Sequence, residues 1–176
     1  MDTEYEAKIL EVDVEEIKKR LEELGAVFVG EKFQKRYVYH FVSKQENKWV
    51  RLRTDGEITT LAVKEVSENT ISGTQEAEIV VNDFAQAHKL ILALGFRQIA
   101  YQENKRVSYE LEGVDVEIDT WPRIPTYIEV EGPSEEEVVR VVEKLGFREE
   151  QIVSKPVKEI YSDYGIDLHE IDELRF

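Results

Sequence analysis

Three short stretches of the sequence place two glutamates one residue apart, and a fourth does the same with two arginines. The acidic pairs are Glu4-Tyr5-Glu6, Glu76-Ala77-Glu78 and Glu129-Val130-Glu131, and the basic pair is Arg51-Leu52-Arg53. Because residues i and i+2 of a β-strand point to the same face, each pair would present two like charges side by side. Carboxylates bind hard divalent cations and arginines bind phosphate oxygens, so this combination predicts a site for a metal-bound phosphate compound.

Further charged residues follow the same alternation. Lys8 shares the face of Glu4 and Glu6, and Lys64 points away from its apolar neighbours. The other charged residues opposite apolar ones are Arg106, Glu110, Glu117 and Asp119. A sheet with one solvated face also carries alternating charges, and for a single pair that explanation is favoured. Like charges on one face destabilise a sheet by up to about 1 kcal/mol per pair, so three acidic pairs and one basic pair together favour bound ligands.

The elements that would position these residues are mostly β-strands, because much of the chain alternates with a period of two. The predicted strands cover residues 3–10, 49–53, 59–65, 75–81, 105–111, 114–119 and 127–131, with weaker candidates at 33–42 and 96–102. Asp55-Gly56 and Gly113 mark tight turns. No long helical crossovers separate the strands, so the sheet should be antiparallel, and its size in so short a chain predicts closure into a barrel.

Three amphipathic helices are predicted, and each follows one of the Glu-x-Glu strands. They begin near Asp13, Asp83 and Ser134, and each ends in Leu-Gly. The three acidic pairs should therefore occupy equivalent positions. The apolar face of the sheet must pack on these helices, which leaves the charged face inside. The predicted fold is α+β, an eight-stranded antiparallel β-barrel with helices packed on the outside.

Composition narrows the functional classes. The 176 residues carry a net charge of −15 and no cysteine. The negative charge argues against binding nucleic acid, and the missing cysteines exclude disulfides and thiolate catalysis. No apolar run is long enough to cross a bilayer, and the charged N-terminal segment is unlike a secretory signal. We expect a single cytoplasmic domain over residues 1–176, without a membrane partner, as a monomer or homodimer.

Taken in order, the charged residues resemble the signature of the CYTH superfamily, also called triphosphate tunnel metalloenzymes. The opening Glu4-Tyr5-Glu6-Ala7-Lys8 matches the family's Glu-x-Glu-x-Lys motif. The resemblance continues through Arg51-Leu52-Arg53, Leu61-Ala62-Val63-Lys64, Glu76-Ala77-Glu78, Arg106, Asp119 and Glu129-Val130-Glu131, and spans essentially the whole chain. The opening motif is common on its own, whereas the ordered series is specific.

The resemblance implies an eight-stranded tunnel that binds a small-molecule triphosphate with Mg²⁺ or Mn²⁺. It implies phosphate binding by Lys8, Arg51, Arg53, Lys64 and Arg106, and metal binding by Glu4, Glu6, Asp119, Glu129 and Glu131. Glu76 and Glu78 are assigned to metal or water positioning. Glu4, Glu6 and Lys8 are the predicted catalytic residues.

Two positions depart from the family pattern. Asn104 stands where many members have a lysine, and Lys105 should point the other way. Lys155 or Lys158 is a candidate replacement for that phosphate contact. Arg36 stands in the second strand, where many members have an acidic residue, and is a candidate additional phosphate ligand.

Three functions agree with these residues. The first is a metal-dependent hydrolase of tripolyphosphate or of a small organic triphosphate, such as a nucleoside or thiamine triphosphate. The second is a class IV adenylyl cyclase, and the third is a non-catalytic sensor of polyphosphate or nucleotide. Outside the site, we expect Trp121 to anchor a loop, and residues 153–163 to form a lid or a packed helix. The run 169–173 should be solvated or poorly ordered.

Overall fold

The computed structural model describes residues 1–43, 45 and 47–176. Within these residues, nine strands and four α-helices follow one another along the chain, with short 3-10 helices at Glu149–Gln151 and Leu168–Glu170. The strands are β1 (Asp2–Ile9), β2 (Val27–His40), β3 (Lys48–Thr54), β4 (Thr59–Val66), β5 (Thr74–Val81), β6 (Arg97–Leu111), β7 (Val114–Thr120), β8 (Tyr127–Gly132) and β9 (Glu173–Leu174). The helices are α1 (Val14–Glu23), α2 (Phe84–Ala93), α3 (Glu135–Lys144) and α4 (Val157–Asp163).

The first eight strands form a closed antiparallel barrel with the helices outside, as predicted. Their order around the barrel is β2-β3-β4-β5-β1-β8-β7-β6, and β6 pairs again with β2. This last pairing is the longest and runs from Val27 opposite Glu110 to His40 opposite Arg97. Closure leaves the barrel without free edges and separates one enclosed face from one outer face.

The three helices that follow Glu-x-Glu strands begin and end as the sequence predicts. Asp13, Asp83 and Ser134 each accept a hydrogen bond from a backbone N–H of the first turn, which satisfies groups that the helix leaves unpaired. The glycine after each helix has a positive φ, 76° at Gly25 and 97° at Gly146, a conformation that favours glycine.

Helices cover the apolar outer face of the barrel in three places. Leu21 of α1 and Val141 of α3 pack with Val130 and Ile128 of β8 in the largest cluster. Helix α2 buries Ile91 in a second cluster on β3. A third cluster joins α4 to the loop after β7 and to the C-terminal strand, and contains Trp121, Ile124, Tyr127, Ile160, Tyr161, Leu168 and Leu174.

Two strand predictions need correction. Residues 96–102 and 105–111 belong to a single strand, β6, because Glu103 and Asn104 pair with Lys35 and Gln34 of β2 without interruption. Strand β2 starts at Val27 rather than at residue 33, since β6 supplies its backbone partners along the whole length.

The C-terminal segment is more ordered than predicted. The side chains of His169, Glu170, Asp172 and Glu173 are exposed, but the Asp172 carbonyl accepts a hydrogen bond of 2.8 Å from the Tyr101 N–H. Strand β9 then pairs in parallel with β6, and Leu174 is fully buried. Helix α4 is a packed helix, with Ile160 and Tyr161 buried. None of the helices in the described residues is long and apolar enough to cross a membrane.

Candidate active site

The barrel encloses a cavity of about 780 Å³ that is lined mainly by charged side chains. Seven lysines and arginines line it: Lys8, Arg36, Arg51, Arg53, Lys64 and Arg106 on the barrel strands, and Lys158 on α4. Its acidic residues include Glu4, Glu6, Glu76, Glu78, Asp119, Glu129 and Glu131. The structure thus brings together every predicted site residue except Lys155.

The three Glu-x-Glu strands lie next to one another in the barrel, in the order β5-β1-β8. Across β1 and β8, Glu6 is opposite Glu131 and Lys8 is opposite Glu129. The strand register therefore places the carboxylates of Glu6 and Glu131 side by side, and places Lys8 directly beside the carboxylate of Glu129.

On one side of the cavity, ion pairs connect four strands, β1, β3, β4 and β5. Arg51 of β3 binds Glu76 at 2.8 Å and Glu78 at 2.9 Å, both on β5. Lys64 of β4 lies 2.8 Å from Glu4 and 3.2 Å from Glu76. Phosphate oxygens would have to compete with these carboxylates for the same N–H groups.

On the opposite side, Arg106 and Lys8 hold a second acidic group. Arg106 contacts Asp119 at 2.5 Å and Glu129 at 2.9 Å. Lys8, which is almost fully buried, pairs with Glu6 and lies 3.5 Å from Glu129. Burial alone would raise the pKa of Glu129, but Lys8 and Arg106 hold it well below its ordinary value.

Two other carboxyl groups of the cavity have pKa values above their ordinary range. Burial, together with the negative charges of Glu129 and Glu6, raises the pKa of Glu131 to about 7. Burial and a hydrogen bond with Glu76 raise the pKa of Glu4. The cavity therefore contains carboxyl groups that hold a proton near neutral pH beside carboxylates that do not.

A barrel enclosing paired acids and bases is the architecture that the sequence resemblance implies. Residues 2–159 match the family model described as the CYTH domain. The chain belongs to the CYTH family.

Relatives of this CYTH protein match it over most of their length. A Methanocaldococcus jannaschii protein called "Putative adenylate cyclase MJ0240" is 21% identical over 170 residues, which cover 89% of this chain and 97% of that protein. The solved structure of the PH1012 protein of Pyrococcus horikoshii is 26% identical, with a TM-score of 0.76 over 87% of this chain and 96% of that one. The HpAC1 protein of Hippeastrum is 16% identical, with a TM-score of 0.65 over 94% and 98% of the two chains.

The carboxylates of the CYTH cavity fit a hard divalent cation by their chemistry. No three of the described acidic or histidine side chains converge closely enough to hold a metal ion, and the carboxylates are paired with lysines and arginines instead. Burial and, after it, repulsion from Glu129 and Glu6 raise the pKa of Glu131, and a divalent cation would relieve that repulsion. Oxygen donors of this kind suit Mg²⁺ or Mn²⁺.

The two candidate lysines of the C-terminal segment lie in different places. Lys155 does not line the cavity, because its ammonium group binds Asp163 of α4 at 2.7 Å. Lys158, in the first turn of α4, lines one mouth of the cavity. Lys105 points outward as predicted and lies 4.5 Å from the Phe176 ring centroid.

The sequence analysis did not identify Tyr127 as a site residue and assigned no contact to Asn104. Tyr127 lines the cavity, and the alternation of Glu131 and Glu129 extended two residues back would have found it. Asn104 is uncharged but fully buried, where it accepts a hydrogen bond from Arg36 and donates one to Asp119. That link joins β2 to β7 across β6, and no local pattern in the sequence indicates it.

A smaller cavity of about 330 Å³ adjoins the main one at the other end of the barrel. Its lining includes Lys32, Asp55, Ser108, Asp115 and Glu117. Arg53 and Arg106 line both cavities, so these two arginines stand where the cavities meet.

Proposed function

We propose that this CYTH protein is a metal-dependent hydrolase of inorganic tripolyphosphate or of a small organic triphosphate. The observation that carries the proposal is the enclosed pairing of five bases with carboxylates on opposite sides of one cavity. A cavity that holds both bases and carboxylates suits a ligand that is both a polyanion and a metal chelator. A triphosphate with its divalent cation has both properties.

In the proposed reaction, Arg51, Arg53 and Lys64 bind phosphate oxygens from one side, and Lys8 and Arg106 bind them from the other. Phosphate oxygens that take these N–H groups release the carboxylates now paired with them. Glu6, Glu129 and Glu131 would then hold the divalent cation. Such a cation supplies Lewis-acid neutralisation of the phosphate charge.

Attack on a phosphoryl group also needs a proton acceptor for the incoming water. A carboxylate with a pKa near the working pH serves best, because a substantial fraction of it is ionised and that fraction is still basic. The raised pKa of Glu4 favours this residue for that role, since Glu131 is assigned to the cation, whose charge would lower its pKa. The water oxygen would bond to the terminal phosphorus as its proton passes to a carboxylate oxygen, the bridging P–O bond would break, and the bases would hold the departing diphosphate.

An adenylyl cyclase is the second candidate, and the name of the M. jannaschii relative favours it. The same cavity would bind ATP, but the nucleophile would be the ribose 3′-hydroxyl instead of water. The Hippeastrum protein, also named after adenylyl cyclase, is described as having a dominant triphosphatase activity. That description favours hydrolysis as the main reaction of this architecture.

Turnover of a small substrate panel tests the proposal. Tripolyphosphate, ATP and thiamine triphosphate would each be incubated with Mg²⁺, with Mn²⁺ and with EDTA, and phosphate, pyrophosphate and cyclic AMP would be quantified separately. We expect metal-dependent phosphate release that EDTA abolishes. Cyclic AMP with equimolar pyrophosphate would instead identify a cyclase. Tight binding without any product would favour the sensor.

A further inference from the structure

Arg36 differs from the other five bases that the barrel strands place in the cavity. Each of those five lies within 4.0 Å of a carboxylate, whereas Arg36 has no such partner among residues 1–43, 45 and 47–176. Its guanidinium donates to the side-chain oxygens of Gln34 and Asn104, and its central carbon lies 4.6 Å from the Trp121 ring centroid. Because Arg36 is only 7% exposed, its charge has little contact with solvent and no carboxylate partner among these residues.

The neighbours of Arg36 increase this excess of positive charge. Burial and repulsion from Arg51, Arg53 and Arg106 lower the pKa of Arg36 to about 9. Asp119 is the acidic group on this wall, but Arg106 occupies both of its oxygens, and the Asn104 amide also donates to it at 3.1 Å. An anion bound beside Arg36 would therefore gain attraction that the protein's own carboxylates do not satisfy.

Two further donors on the same wall have no partner among the described residues. The Tyr127 hydroxyl and the Trp121 indole N–H are both buried without a hydrogen bond, and so is the Arg36 Nε–H. Tyr127 is opposite Asp119 in the β7–β8 ladder, and Trp121 follows Asp119 by two residues. All three side chains line the main cavity. Buried donors are almost always paired in proteins. An unpaired N–H of Arg36 and two unpaired neutral donors on the same wall therefore indicate a ligand with several acceptor atoms.

We propose that Arg36, Trp121 and Tyr127 form a phosphoryl-binding subsite of the cavity, which takes a terminal phosphoryl group of the substrate and the orthophosphate product. A phosphoryl group offers several acceptor oxygens and negative charge, which matches a guanidinium flanked by two neutral donors. The assignment of a terminal phosphoryl group of the substrate rests on the proposed function. The binding of orthophosphate does not depend on it. In this subsite, Arg36 supplies the positive charge that many family members carry as a lysine at the position of Asn104.

Binding of orthophosphate in the presence of EDTA tests this subsite independently of turnover. Isothermal titration calorimetry on the wild-type chain should give saturable binding. Tyr127→Phe should weaken it about tenfold, since one hydrogen bond to a charged group is lost. Arg36→Gln should weaken it about 100-fold or more, because it removes the charge as well.

Tyr161→Phe is the matched control. The Tyr161 hydroxyl belongs to the same cluster but already donates to the Pro122 carbonyl at 2.6 Å. Its loss should lower the melting temperature and leave phosphate affinity unchanged. Tyr127→Phe should do the reverse, since it removes an unsatisfied hydroxyl and so leaves the melting temperature equal or higher.

The possible outcomes separate this inference from the proposed function. Wild-type affinity in both Tyr127→Phe and Arg36→Gln, or no saturable binding by the wild type, would overturn the subsite even if tripolyphosphate is hydrolysed. Phosphate binding that depends on both residues would support the subsite even if no triphosphate is turned over. If Arg36→Gln does not fold, the comparison of Tyr127→Phe with Tyr161→Phe still decides the question.

Discussion

Arg106 and Asp119 are direct partners across the β6–β7 ladder, and the guanidinium of Arg106 donates to both oxygens of the Asp119 carboxylate. The same guanidinium also contacts Glu129 at 2.9 Å on the next strand. A single arginine thus fixes the positions of two acids from two strands. Burial of these three charged side chains is tolerated because each has a partner of opposite charge. Arg106 is therefore already oriented when a phosphate chain enters the cavity.

Arg53 is the base whose removal tests phosphate binding most directly. Its ion pair with Glu78 is long, at 3.6 Å, so Arg53→Ala should disturb the free protein less than loss of Arg51 or Arg106 would. We expect the KM for the substrate to rise at least tenfold, with a lower kcat, because a charge-assisted hydrogen bond to phosphate is lost. Steady-state kinetics checks this.

Arg148→Ala is the control for Arg53→Ala, because Arg148 is exposed far from the cavity lining. Its kinetics should equal those of the wild type. An unaltered KM in Arg53→Ala would mean that the arginine face does not bind the substrate.

Glu6 tests the metal assignment. Glu6→Gln keeps the size of the side chain but removes the charge that a divalent cation needs. We expect kcat to fall by about 100-fold or more, as for loss of a catalytic carboxylate, while the circular dichroism spectrum stays unchanged. Glu4→Gln should behave in the same way.

Glu136→Gln provides the comparison for both variants, since Glu136 is exposed in the first turn of α3. Its activity should equal that of the wild type at every Mg²⁺ concentration. If Glu4→Gln and Glu6→Gln were both as active as Glu136→Gln, these two residues would have no role in metal binding.

Asp55 should make the stability of the β3–β4 hairpin depend on pH. Burial opposes its ionisation, but Lys32 at 2.6 Å and the N–H groups of Ile58 and Glu57 lower the pKa of Asp55 to about 2. Because this value lies below the ordinary 3.8, the charged form stabilises the fold above about pH 4. That contribution is lost as the pH falls toward 2.

Urea unfolding at pH 5, 4, 3 and 2 measures the effect of Asp55. Asp55→Asn retains the turn acceptor and should cost about 1 kcal/mol at pH 5, because the Lys32 side chain is 36% exposed and water screens the pair. Its difference from the wild type should shrink toward zero at pH 2. Glu57→Gln, an exposed change in the same loop, should show a small difference that does not vary in this way. A constant difference for Asp55→Asn would contradict the pKa shift.

The parts of the fold that the sequence predicts are those with local causes. Alternation with a period of two depends on neighbouring residues alone, so the Glu-x-Glu strands and their following helices are predicted correctly. The order β5-β1-β8 is not predictable in this way, because strand neighbours can be far apart in sequence. The cavity's composition was therefore predicted, whereas the pairing of each base with its acid was not.

The interruption predicted at residues 103–104 shows the same limit. Glu103 faces outward on β6, where Arg175 lies 3.2 Å away and the Tyr101 hydroxyl donates at 2.9 Å. Asn104 faces inward and meets Arg36 of β2. Glu103 interrupts the apolar outer face of the strand, whereas Asn104 keeps its inward position, and for both a distant segment supplies a partner.

Leu174 should be a major source of stability, although it is the third residue from the end of the sequence. It is fully buried between α4 and the loop that holds Trp121. Leu174→Ala should cost about 2–5 kcal/mol, the range for leucine truncation in a core. Leu90→Ala should cost less than about 1 kcal/mol, because 61% of Leu90 is exposed on α2. Chemical unfolding of both variants makes the comparison. Because Trp121 packs on Arg36, Leu174→Ala should also weaken orthophosphate binding. Equal stability of Leu174→Ala and Leu90→Ala would mean that the C-terminal strand does not support this wall of the cavity.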